Sequence, residues 1–224
     1  MDTMPTGLFE LYEETLDRVR KQSPKRSSLG MTILGWLSHV QRPILVDELR
    51  HALAVGYHKD DERQTTLDMD NLIRPHMLVD ICAGLVTIEE ESQVIRLVHY
   101  TTQEYFKKRA DSLFNGMKIS IAGTCLTYLL FNDFSNGPCC DEELLKERVK
   151  KFGFLEYASC YWGEHVRGPL EKVFQGMIIE FLGNDNKICA AAEALNTRKR
   201  EFFRWCNKFG EVPKDFRPLQ VAAS

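Results

Sequence analysis

The sequence predicts a mainly α protein with one short β-hairpin, and three observations carry that prediction. Apolar residues recur at three- and four-residue steps along most of the 224 residues, the spacing of a single helix face. Near the middle this spacing gives way to two β-favouring runs, Leu85-Val86-Thr87-Ile88 and Val94-Ile95 with Leu97-Val98, joined by the polar stretch Glu89 to Gln93. From Met117 onward the helical spacing returns and holds. Helices followed by a two-stranded hairpin describe a winged helix-turn-helix. The second half reads as a helical array of roughly antiparallel neighbours.

Leu8, Leu11, Tyr12, Leu16 and Val19 define the first helix face, and Gln22 to Ser28 is a basic, Ser/Pro-containing break. A second helix from Ser28 to Val40 turns Leu29, Ile33, Trp36 and Leu37 inward. Arg42-Pro43 ends it, because proline removes a donor and restricts the residue before it. Val46 to Val55 is a third helix, with Asp47 and Glu48 in the favourable first turn. Lys59 to Thr66 is a polar loop. Leu67 to Cys82 is expected to be mainly helical, with a break or kink near Arg74 caused by Pro75. After the hairpin, Thr101 and Thr102 can cap the next helix, and Glu104 falls in its first turn. Later helix faces are Ile119-Ala122-Leu126-Leu129-Leu130, Leu144-Leu145-Val149-Phe152, Phe154-Leu155-Ala158-Tyr161 and Pro169-Leu170-Val173-Phe174-Ile178. Ile188 to Leu195 and Phe202 to Cys206 complete the array.

A hydrophobic fraction of 44% with 27% charged residues suits a globular core. A net charge of −3 gives no global attraction to nucleic acid or to an anionic membrane. The longest apolar stretch, Ile119 to Phe131, is interrupted by Gly123, Thr124 and Thr127 and is too short to span a bilayer. The seven cysteines (82, 125, 139, 140, 160, 189 and 206) are odd in number and follow no signal-peptide pattern. They read as reduced thiols of a cytoplasmic protein. Cys139-Cys140 lacks the partner spacing of a zinc site, so no metal is expected.

The run Leu97-Val98-His99-Tyr100-Thr101-Thr102-Gln103-Glu104-Tyr105-Phe106 resembles the histidine-containing segment that closes the winged helix of NACHT-type signalling ATPases. These are the fungal STAND relatives of NOD-like receptors. Leu8-Phe9-Glu10-Leu11-Tyr12 resembles the linker that follows their ATPase domain. Leu34-Gly35-Trp36-Leu37 and the stretch Arg42-Pro43-Ile44-Leu45-Val46-Asp47-Glu48-Leu49-Arg50-His51-Ala52-Leu53-Ala54 resemble the family's WL…RPL…EL…ALA signature, and Cys82-Ala83-Gly84-Leu85-Val86 resembles its entry to the wing. Phe154-Leu155-Glu156-Tyr157-Ala158 with Tyr161-Trp162-Gly163-Glu164-His165 resembles the helix before the ankyrin repeats. Arg217-Pro218-Leu219-Gln220-Val221-Ala222 resembles the T-P-L-H-x-A start of such a repeat. This winged-helix type is labelled after GPI inositol-deacylases, yet no GxSxG nucleophile elbow occurs here.

The resemblance implies four parts: a linker helix over 1–27, following a NACHT domain that lies outside this sequence; a winged-helix domain over 28–105; a helical linker domain over 106–213; and the start of a truncated ankyrin repeat over 214–224. It implies a non-catalytic regulatory module that couples nucleotide state to ligand sensing by the repeats. His99 would be the nucleotide-sensing residue, because the matching histidine of such receptors touches the β-phosphate of ADP. Imidazole suits that task as a hydrogen-bond donor near neutral pH. The implied partners are a NACHT ATPase, in cis or in trans, and the downstream repeats. ADP or ATP would be bound only through the NACHT domain.

Other readings stand beside this one. His99 could be packed at the hairpin-to-helix junction with one nitrogen satisfied. The chain could be a free-standing adaptor or decoy that captures intact receptors. A DNA-binding role is disfavoured, because the recognition-helix position carries Asp68, Asp70 and Asp80 against Arg74. Gly30 and Gly35 have the glycine spacing of a phosphate loop, but Trp36 follows where lysine is needed, within an apolar helix. The runs Lys107-Lys108-Arg109, Lys146 to Lys151 and Thr197-Arg198-Lys199-Arg200 read as solvated faces. Tyr161, Trp162 and His165 read as packing residues.

Overall fold

The computed structural model of the chain describes residues 6–56 and 63–195. The expected helix from Phe202 to Cys206, the basic run from Thr197 to Arg200, the repeat start at 214–224 and the first part of the polar loop lie outside the described residues.

Helix α1 (Thr6–Arg20) buries Tyr12, Leu16 and Val19 as the spacing predicts, but leaves Leu11 half exposed. Helix α2 (Pro24–His39) begins four residues earlier than expected. Pro24 was read as part of a break, yet it opens the helix, where its fixed φ and missing N–H cost nothing. A strand follows that the sequence did not disclose. Strand β1 (Ile44–Leu45) is only two residues long, too short to show alternation. Helix α3 (Val46–Val55) has the expected bounds.

The segment from Leu67 to Arg74 is not a helix. Only a single 3₁₀ turn, Met69–Asn71, forms there, with the Asp68 carboxylate accepting the Asp70 N–H at 3.0 Å. Helix α4 (Pro75–Ile81) starts at the proline that was expected to kink it, for the same reason as at Pro24. It buries Leu78 and Ile81. A left-handed turn at Ala83 (φ 51°) and Gly84 (φ 89°) then reverses the chain into the wing.

Strands β2 (Val86–Glu89) and β3 (Val94–Leu97) form the hairpin. The sheet has three antiparallel strands in the order β1-β3-β2, with Ile44 opposite Ile95 and Val86 opposite Leu97. Helix α5 (Tyr100–Leu113) follows directly and buries Thr102, Tyr105 and Phe106.

Helix α6 (Met117–Leu129) is the central post of the second half. Every residue from Ile121 to Leu129 is buried, so no single inward face exists, while Ile119 stays partly exposed. Around it stand α7 (Glu142–Lys151), α8 (Leu155–Val166), α9 (Pro169–Val173), α10 (Gln175–Leu182) and, last among the described residues, helix α11 over 185–195. Phe174 divides the expected Pro169–Ile178 segment into two short helices. Leu144 and Val173, expected inward, are about half exposed; α7 buries only Leu145.

One apolar core runs through both halves. It contains Leu16, Trp36, Leu49, Ile95 and Phe106 from the first, and Tyr128, Leu155 and Tyr157 from the second. Trp36 meets Phe154 edge-on at 5.6 Å, and His51 Nδ1 lies 2.9 Å from the Tyr128 hydroxyl.

Gly30 and Gly35 lie inside α2 and serve its packing. A Cβ at Gly30 would come within 2.7 Å of Val19 Cγ1, 3.0 Å of Ile81 Cγ2 and 3.3 Å of the Ile81 carbonyl. Gly30 therefore lets α1 and α4 close on α2. Gly30→Ala gains about 1 kcal/mol of helix propensity but meets about 1–3 kcal/mol of overpacking between two fully buried β-branched side chains. The expected net result is a lower urea midpoint with an unchanged slope.

Candidate functional site at the wing-to-helix junction

Strand β3 ends where the Val98 N–H donates to the Leu85 carbonyl at 3.1 Å. The next residue, His99, is extended and is the N-cap of α5. The threonines were expected to cap this helix, but the imidazole does so. The Thr101 N–H donates to His99 Nδ1 at 3.2 Å, and Thr101 Oγ1 lies 2.8 Å from the same nitrogen. Thr102 faces the core instead, fully buried. A backbone N–H aimed at Nδ1 makes that atom an acceptor. The proton of the neutral ring therefore sits on Nε2.

His99 is exposed, and its ring lies 4.6 Å from that of Tyr100. Tyr100 is 68% exposed and Val98 42%, both high for such side chains. The junction thus offers one outward N–H donor between two uncovered apolar side chains.

Helix α1 braces this junction from the side. The Tyr12 hydroxyl lies 2.5 Å from Thr101 Oγ1. Next to it, the Tyr105 hydroxyl donates to Glu13 Oε1 at 2.5 Å, and Arg109 donates to the same carboxylate. The Tyr105 hydrogen bond holds Glu13 below its ordinary carboxylate pKa; desolvation opposes it, and the hydrogen bond and charge of Arg109 add to the lowering. Burial, then the Glu13 carboxylate, pushes Tyr105 up to about 12. Arg109 is therefore not part of a merely solvated run, unlike the exposed Lys107 and Lys108.

A second polar cluster joins the two halves. Arg42 was read only as the end of a helix, and Glu48 only as a first-turn acid. They are in fact a bidentate pair, with Nη1 to Oε2 at 2.7 Å and Nη2 to Oε1 at 2.5 Å. Their side chains are only 11% and 3% exposed. Glu48 Oε2 also accepts the Leu45 N–H at 2.8 Å, fixing the step from β1 into α3. Burial opposes the charge of Arg42, but the hydrogen bonds and charge of Glu48 outweigh it and hold the guanidinium above its ordinary pKa.

Helix α8 completes the cluster. Glu156 stands 3.8 Å from Arg42, and the guanidinium lies 5.2 Å from the Tyr157 ring centroid and 5.8 Å from that of Tyr161. The Gln41 N–H donates to the Tyr157 hydroxyl at 3.1 Å, and His165 Nε2 is 3.0 Å from that hydroxyl. Burial lowers His165 to about 4, so it is neutral at physiological pH. The segment around Arg42-Pro43 and the segment from Phe154 to His165 thus meet in space, and Tyr161, Trp162 and His165 pack as expected. His165 also borders an open cleft of about 580 Å³ with His39, Asp111, Lys118, Glu164 and Arg167. Acids and bases are mixed there, favouring neither an anion nor a cation.

Gly30 and Gly35 are buried in mid-helix and present no free amides to a phosphate. Among the described residues, no group of three or more His, Cys, Asp or Glu could hold a metal ion, and no helix is long and apolar enough to cross a membrane.

Residues 17–116 match the family model described as the winged helix domain of GPI inositol-deacylase. The match covers α1 from Asp17 through the hairpin to the end of α5. This part of the chain is a winged-helix domain. Comparison with curated proteins and with solved structures gives no match. The winged-helix domain thus meets the helical half through Arg42, held by Glu48, and through Gln41.

Replacing Arg42 with alanine leaves the Glu48 carboxylate buried without its partner. A loss of about 3–5 kcal/mol in unfolding free energy is expected. The double variant Arg42→Met/Glu48→Leu, which removes both charges, should lose clearly less; denaturant titration of the two proteins checks this.

Proposed function

We propose that this chain is the regulatory arm of a NACHT–ankyrin signalling ATPase, and that its winged-helix domain reads nucleotide state through His99. The observation that carries the proposal is the outward Nε2–H of His99, set between the exposed Val98 and Tyr100 at the wing-to-helix junction. A protonated ring nitrogen held at a fixed angle is a suitable donor to a phosphate oxygen arriving from a partner surface. The two apolar neighbours would be covered by that same surface. The match of residues 17–116 to a winged helix supports the reading, as do the motif segments on both sides of the Arg42 cluster.

In this account the arm is non-catalytic. ADP bound by the ATPase domain favours the closed arrangement by accepting the His99 hydrogen bond. Loss of that contact releases the arm, and the helical half carries the movement toward the repeats. A switch of this kind requires two packed states of similar free energy, with the nucleotide binding one better than the other.

The test pairs this chain with its NACHT ATPase and measures release of a fluorescent ADP analogue. His99→Ala should speed release about tenfold or more, the change expected for a lost hydrogen bond to a charged group. An off-rate equal to that of the unaltered protein would contradict the assignment.

A further inference from the structure

We infer that Tyr12 of α1 is a positioning residue for His99, so that the seating of α1 on α5 sets how firmly the imidazole is held with its Nε2 proton outward. This rests on His99 being the nucleotide reader, but it makes a claim about the ring that holds with or without an ATPase.

The argument follows one line of hydrogen bonds. The Thr101 N–H points at His99 Nδ1, so Nδ1 carries no proton. Thr101 Oγ1, 2.8 Å from Nδ1, must then be the donor in that contact. Its single proton is used there, so Thr101 Oγ1 can only accept from Tyr12, whose hydroxyl lies 2.5 Å away. The donors therefore run from Tyr12 to Thr101 to His99, and the free N–H is left on the outward Nε2. Each end of the line depends on the other.

The line is attached to α1 at the first of its described side chains to enter the core. Tyr12 is the first of the described α1 side chains to be buried; Gly7, Glu10 and Leu11 before it are exposed. Just beside it, Glu13 engages Tyr105 and Arg109, and the rings of Tyr12 and Tyr105 lie 5.3 Å apart. Residues 12 and 13 are where α1 meets α5, while Leu16 and Val19 seat the rest of the helix in the core. A pull on the start of α1 acts first on this pair, and through it on His99. The resulting device lets the segment before the winged helix orient or release the sensing group without touching the nucleotide.

The experiment uses the whole 224-residue chain with ¹⁵N-labelled histidine. The ring-nitrogen shifts of His99 should show the Nε2–H tautomer. In Tyr12→Phe, which keeps the buried ring, the Thr101 hydroxyl is no longer held toward Nδ1, and the His99 Nδ1 shift should move to higher frequency, away from that of Nε2, as one of its two donors is lost while the Thr101 N–H keeps the tautomer. Thr101→Val, which removes the hydroxyl but keeps the N–H, should do the same. His51 and His165 lie in other clusters and should not move, whereas general loosening of the fold would shift them too. Unchanged His99 shifts in both variants, or equal movement of all three histidines, would overturn the inference.

A second measurement separates this from the sensing role. With the ATPase present, Tyr12→Phe should speed ADP release about 3- to 10-fold, as for one lost hydrogen bond, and add nothing to His99→Ala. If His99→Ala leaves ADP release unchanged while Tyr12→Phe still shifts the His99 resonances, positioning stands and nucleotide sensing fails. If ADP release responds to His99→Ala but the resonances ignore Tyr12→Phe, sensing stands and positioning fails.

Discussion

The pairing of Arg42 with Glu48 is the constraint on which the rest of the molecule depends. Two opposite charges removed from water are tolerated only when their mutual geometry is good, and here the bidentate contact is made although Arg42 Nε is buried without a hydrogen bond. Here that requirement fixes several things at once. Glu48 must sit in the first turn of α3, so α3 begins directly after β1. Strand β1 must then lie against β3, which sets the wing. Glu156, Tyr157 and Tyr161 must surround the guanidinium, which sets the face that α8 turns to the winged helix. The bidentate pair fixes the guanidinium within the winged helix, and its contacts with Glu156, Tyr157 and Tyr161 then add directional restraint to the apolar packing between the halves.

Much of the fold was legible because strong local signals agreed with the tertiary outcome. The hairpin appeared as two β-branched runs around a polar turn, and α3 appeared as an apolar stripe with acids in its first turn. The departures have separate causes. Prolines were read as breakers, although Pro24 and Pro75 start helices, since the sign of a proline depends on the position it takes. Strand β1 has two residues and no periodicity, so only its partner β3 reveals it. In α6 an all-round burial erased the face that spacing alone suggests.

The site was legible only in part. His99 could be singled out from its sequence neighbours, but its role as an N-cap could not, because serine and threonine are the usual capping types and two threonines stood next to it. The long-range members were invisible. Tyr12 and Thr101 are 89 positions apart, and Gln41 and Tyr157 are 116 apart. A pair of charges flanking the apolar run Pro43-Ile44-Leu45-Val46 was the one available hint that Arg42 and Glu48 are buried together.

In the proposed function the chain is an arm that holds a sensing group at one end and moves as a body. Such an arm transmits only if the winged-helix domain and the helical half do not open separately. Native-state hydrogen exchange tests this most directly, by comparing the amides of α2 and α3 with those of α6 and α8 as denaturant is raised. The account predicts that the slowest amides of all four helices converge on one opening free energy and one denaturant dependence. If α6 and α8 instead opened at a distinctly lower free energy while α2 and α3 stayed protected, the Arg42 cluster would be a contact between independent units, and the single-body arm would be wrong.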